Sequence, residues 1–139
     1  MPPNTGGIMQ RFLLATYLML SLTPVWANST LIERGLEAYR AGSADRAMQI
    51  WLAGSILQRA GRTEGITQQL VSFRQLCGRL ESWSPLKSTS HGPQVTETFY
   101  VMHFEQCPVF ARFMIYRRNG VDTLVRFNVN SSPEAILEP

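Results

Sequence analysis

Thr30 is followed three residues later by Glu33, and the apolar positions Ile32, Leu36 and Tyr39 then recur every three to four residues. A hydroxyl and a carboxylate at that spacing satisfy orphan amides at a helix start. The pattern predicts a first helix to about Ala41 with one buried stripe. Gly42 stops it, and Ser43 caps a second helix over about 44–52 that offers Ala47, Ile50 and Trp51 to a core. After a polar break between Gly61 and Gly65, the spacing of Ile66, Leu70, Phe73, Cys77 and Leu80 predicts a third helix over about 66–80.

From Glu81 the period changes. The stretch 83–94, rich in Ser, Pro and Gly, reads as a loop or a short edge strand. Segments 96–105, 109–118 and 121–129 are dense in aromatic and β-branched residues and predict a β-meander. Asn119-Gly120 suits a type I′ hairpin, which needs two residues tolerant of positive φ. With Arg118 opposite Val121, Arg117 faces Asp122, Tyr116 faces Thr123, Met114 faces Val125 and Arg112 faces Phe127. A second hairpin at Gln106-Cys107 sets Glu105 opposite Pro108.

These registers separate two faces. Tyr100, Met102, Phe104, Ala111, Phe113, Ile115 and Leu124 form the one expected to pack on the helices. Glu97, Phe99, Val101, His103, Phe110, Arg112, Met114, Tyr116, Val125 and Phe127 form the other. Both are apolar at their centres, so helices on one side alone would leave on the order of several hundred Å² of the second exposed, a size that marks a partner or ligand surface. The tail 132–137 begins like a helix, with Ser132 as cap and Pro133 in the first turn, and is expected to pin the last strand.

The expected fold class is α+β, with N-terminal helices packed on a C-terminal antiparallel sheet of three or four strands. Residues 1–27 stand apart from it. They open without an acidic residue, carry Arg11, continue as an apolar run over 12–22 and end in Val25-Trp26-Ala27, the layout of a cleavable signal peptide. The run is shorter than the roughly 20 residues a membrane span needs, so no stable membrane insertion is expected after cleavage. What remains, 28–139, is long enough for one domain, helical over 28–82, a loop over 83–94, and a meander with its C-terminal cap over 95–139. Export to the periplasm or the medium follows.

The formal net charge is +3, one unit of it from Arg11, and the remaining basic residues are interleaved with acids. That excludes the concentrated basic stripe of a nucleic-acid binder. Cys77 and Cys107 are the only cysteines, and an exported chain keeps disulfides. Two readings stand. Either the pair is bonded, closing a loop worth about 3–4 kcal/mol, or Cys77 is a buried helix residue and Cys107 a turn residue.

The order of helices before a twisted meander resembles the ketosteroid-isomerase-like cone, a cystatin-like α+β architecture. The stretch FYVMHFEQCPVFARFMIYRRNGVDTLVRFNVNSSPEAIL is similar to small exported bacterial proteins that close with Asn-x-x-Pro-Glu, and that resemblance implies no particular reaction. GLEAYRAGSADRAMQIW resembles one tetratricopeptide or Sel1-type unit, whereas stacked repeats need about three to bury a core.

Candidate chemistry is sparse. His103 shares the second face with Glu97, Arg112 and Tyr116, a setting for a carboxylate or phosphate ligand; alternatively Arg112 stacks on Phe127. His91 falls in the polar loop and reads as solvated. Two histidines and two distant cysteines make no metal cluster, and no phosphate loop or nucleophile elbow is present, so no cofactor is expected. The leading expectation is an exported binding or interaction module that uses His103, Arg112, Met114, Tyr116 and Phe127 to form a homodimer or to bind a protein partner or a small apolar anion. One alternative is an enzyme whose cone pocket holds Glu97 as base and Tyr116 as oxyanion donor. Another is protein interaction through the tetratricopeptide-like hairpin.

Overall fold

In the computed structural model, which describes residues 30–138, the Thr30 hydroxyl accepts the Glu33 amide at 3.2 Å and opens α1 (Leu31–Arg40). Ser43 accepts the Arg46 amide at 3.0 Å at the head of α2 (Ala44–Leu52). Between them Gly42 has φ +122°, a backbone that side chains disfavour, which lets the chain reverse within three residues. A one-turn α3 (Ile56–Arg59), capped by the buried Ser55, occupies a stretch whose pattern only loosens in sequence. The signal segment and its cleavage point lie outside the described residues.

The third expected helix is α4 (Glu64–Cys77), which stops earlier than expected because Gly78 turns left-handed at φ +84°. Leu80 sits at helical spacing from Cys77 but belongs to β1 (Leu80–Ser90). The expected loop or short edge strand over 83–94 is thus a strand of 11 residues. Its polar composition misleads because an edge strand need bury few of its side chains, and Pro85 is tolerated at an edge. Bulges at Glu81 and Leu86 interrupt its pairing.

Then follow β2 (Val95–Phe104), β3 (Pro108–Arg118), β4 (Val121–Asn130) and the short α5 (Glu134–Leu137), giving an α+β fold with an antiparallel sheet in the order β1-β2-β3-β4. Asn119 and Gly120 both have positive φ, and Arg118↔Val121, Arg117↔Asp122 and Tyr116↔Thr123 pair as expected. Beyond them a bulge at Val125 shifts the register by one, so Met114 faces Arg126 and Arg112 faces Asn128 rather than Val125 and Phe127. One residue of slip exchanges the faces of a strand. Phe127 therefore lies on the helix side, paired with Phe113 and packed against Trp51, and not on the second face.

The β2–β3 hairpin is also wider than expected. His103, not Glu105, lies opposite Pro108. This slip of two residues leaves both faces intact but changes every neighbour. The wider loop places Cys107 against Cys77, with Cα atoms 5.3 Å apart and the pair disulfide-bonded; that separation lies in the range disulfides require. Gln106 donates to the Cys77 carbonyl at 2.9 Å, and Glu105 accepts the Arg79 amide at 2.9 Å.

Helices α1, α2 and α4 bury Leu36, Tyr39, Trp51 and Leu70 against Met102, Phe113, Leu124 and Phe127. Trp51 donates Nε1–H to the Ile32 carbonyl at 3.0 Å, and Tyr39 donates to the Leu70 carbonyl at 2.6 Å, so the polar atoms of these two buried rings are satisfied. Burial also pushes the Tyr39 hydroxyl far above its ordinary value. Helix α1 meets α2 at Gly35, where a Cβ would overlap the Trp51 indole. Gly-to-Ala changes in open helices gain about 1 kcal/mol. Here Gly35→Ala is expected to lose roughly 1–3 kcal/mol by overpacking, read as a fall in the urea midpoint; a rise would contradict the packing.

Candidate functional site

The second sheet face is built on β2 and β3. Alternation sends Glu97, Phe99 and Val101 to it from β2, and the register sets Glu97 beside Met114 and Phe99 beside Arg112. The structure departs from the expected bare apolar surface. Phe99 and Val101 are 4% and 9% exposed, and on the same side the C-terminal segment packs against β3 and β4 with Ile136 3% exposed. Arg112 holds that segment in place: its Nη2 donates to the carbonyls of Ile136 and of Glu138, the latter at 3.0 Å. The tail thus roofs the sheet beyond pinning its last strand.

Beside this roof lies a cleft of about 420 Å³. Phe99, Met114 and Leu137 supply its apolar wall, and Glu97 is its one carboxylate among the described residues. Glu97, only 9% exposed, would be costly to bury alone. It lies 2.9 Å from His91 Nε2 and 3.5 Å from Arg112 Nε. The Arg112 guanidinium stacks on the Phe99 ring at 5.1 Å, not on Phe127. Among the described residues its buried Nε has no hydrogen-bond partner. Lys87, with Nζ 6.0 Å from the centre of the same ring, and Arg126 line the cleft as well, and among the described residues neither has an ion-pair partner. Three cations therefore face one carboxylate that two neighbours already engage.

Of the residues expected to act together, Arg112 and Met114 meet here. His103 is exposed at the far end of β2, opposite Pro108. Tyr116 is half-buried and lines a different groove, beside Ile56 and Val121. Phe127 is in the core. Glu97 and Tyr116, the base and oxyanion donor of the enzyme alternative, therefore line different pockets. Phe99 and Val101, expected at the centre of an exposed apolar face, are instead buried within the chain. Ile32, Leu36, Tyr39 and Trp51 are all buried, so the helical hairpin commits to the sheet the face a tetratricopeptide groove would display.

Sequence reasoning missed His91, Lys87, Arg126 and Leu137. His91 is exposed just after β1, as a solvated loop residue should be, and it also lies 2.9 Å from Glu97. The missing signal was β1: once 80–90 is a strand, Lys87 falls opposite Phe99 and Thr89 opposite Glu97.

Away from the cleft, carboxylates tie the hairpins. Asp122 accepts from Arg117 at 2.6 and 2.8 Å, and that hydrogen-bonded pair holds its carboxyl below the ordinary 3.8. Hydrogen bonds from the Arg79 amide and then its side chain hold Glu105 below 4.5, and the Ser132 hydroxyl does the same for Glu134. A folded-state value below the unfolded one stabilises at higher pH and is lost as pH falls through the folded value. Stability is therefore expected to be flat from neutrality to about pH 4.5 and to decline below it. Asp122→Asn should flatten that decline by about 0.2–1 kcal/mol, the size of an exposed pair. Urea midpoints measured from pH 6 to 2 check this, and parallel curves for the two proteins would contradict it.

Among the described residues no group of three or more His, Cys, Asp and Glu could hold a metal ion, and no helix is long and apolar enough to cross a membrane. No protein-family model, curated protein or solved structure matches the chain.

Proposed function

We propose that the chain is an exported small-molecule binding module whose second-face cleft takes an amphipathic anion, a carboxylate or sulfonate on an apolar body. The observation that carries the reading is the cleft's imbalance. Lys87, Arg112 and Arg126 face a single internally engaged Glu97 beside Phe99, Met114 and Leu137. An apolar pocket with a few convergent polar groups is the usual form of a ligand site, and about 300–1,000 Å³ is the usual size. The Cys77–Cys107 disulfide is compatible with a periplasmic or extracellular location. The signal-peptide layout of residues 1–27 supports the same destination.

Calorimetry with decanoate tests the reading. Decanoate is expected to bind at least tenfold more tightly than decanol, which has the same chain without the charge. Lys87→Glu with Arg126→Glu, two positions in no ion pair among the described residues, should abolish that preference while leaving the denaturation midpoint within about 0.5 kcal/mol, as for most surface changes. Equal binding of decanoate and decanol, or a preference that survives the double charge reversal, would reject the proposal.

A further inference from the structure

We infer that the groove between α3 and the β3–β4 hairpin is a docking surface for an acidic peptide segment of a partner protein, one that carries apolar side chains among its carboxylates. The groove is separate from the second-face cleft, shares no lining residue with it, and has a volume of about 560 Å³. Ile56 and Val121, among the most exposed large apolar residues, are 58% and 64% exposed and both line it. The local construction keeps them there. Ser55, fully buried, accepts the Gln58 amide at 3.2 Å and so fixes the turn of α3, although none of the helix's own four residues is buried. On the other wall the bulge leaves Val125 unpaired in the ladder, and Val125 joins the same lining.

The charges decide the occupant. Arg59 stands on the α3 side and Arg118 on the hairpin side, both exposed, and among the described residues neither is in an ion pair. Among the described residues no acidic side chain lines the groove. An apolar floor between two unneutralised guanidinium groups complements a segment that presents carboxylates at its edges and an apolar side chain between them. It opposes a basic segment, for which the same two arginines act as repulsion.

The test uses the purified protein, isotope-labelled, titrated with a pool of ten-residue peptides that mix Leu, Ile and Phe with Asp and Glu. A matched pool replaces every acid by Lys. The acidic pool is expected to shift the amide resonances of Ile56, Arg59 and Val121, and the lysine pool to leave them in place. Arg59→Glu with Arg118→Glu should reduce the apparent affinity at least tenfold, and Val121→Ser, which removes the apolar side chain at the hairpin tip without adding charge, should reduce it independently; unchanged resonances elsewhere confirm that each variant folds. Absence of shifts with the acidic pool, equal shifts with the lysine pool, or shifts untouched by the charge reversals would overturn the inference. So would concentration-dependent self-association of the unliganded protein that the double reversal abolishes, since the occupant would then be a second copy.

Discussion

Replacing Trp51 by alanine is expected to lower the unfolding free energy by roughly 3–5 kcal/mol, the range for deleting a buried aromatic side chain. The indole is fully buried, with ring centres of Phe113 and Phe127 at 5.2 and 5.0 Å. Its removal leaves a cavity between α2 and the sheet, bordered by the Gly35 backbone. It also leaves the Ile32 carbonyl without the indole donor. A rigid, close-packed interior relaxes only partly into such a void. The checking measurement is a urea titration at constant slope. A loss below about 1 kcal/mol, the typical size of a point-mutant effect, would mean that the indole is not the centre of the core.

Reducing the disulfide, or replacing Cys77 and Cys107 together by serine, is expected to cost about 3–4 kcal/mol. The cysteines are 30 positions apart, and the bond restricts the unfolded chain over that loop. In the folded state it fastens the end of α4 to the β2–β3 hairpin at the point where Gly78 turns, and a Cβ there would come within 3.0 Å of the Glu105 Cβ. The Arg79–Glu105 hydrogen bonds and the Gln106 amide remain after reduction. The hairpin should therefore stay in place and the loss appear in the denaturation midpoint. An unchanged midpoint on adding reductant would show that the bond does not constrain the unfolded chain.

Helices α1 and α2 were legible because their signals are local. Thr30 and Ser43 cap as their positions imply, Gly42 reverses the chain, and the apolar spacing marks the buried stripe. Asn119-Gly120 fixed the tightest hairpin for the same reason. What was not legible depends on partners distant in sequence. The bulge at Val125 requires no distinctive residue, yet it carries Phe127 from the second face into the core. β1 is held by pairing with β2, and its polar edge composition hides it. The β2–β3 hairpin is wider than a two-residue turn and meets the end of α4 at Cys77, which no periodicity within the hairpin reports. The cleft inherits all three uncertainties. Arg112 and Met114 could be assigned to it because a two-residue slip preserves faces. His91, Lys87 and Arg126 could not, because their placement needs β1 and the bulge.

The most direct measurement is a set of intermolecular nuclear Overhauser effects between bound decanoate and the protein. The proposed site predicts contacts from the decanoate chain to the Met114 methyl and the Leu137 methyls, with the carboxylate end nearest Lys87 and Arg126. Contacts confined to other surfaces, or a methyl spectrum of Met114 and Leu137 that ignores the ligand while it binds, would contradict the assignment of the second-face cleft as the binding site.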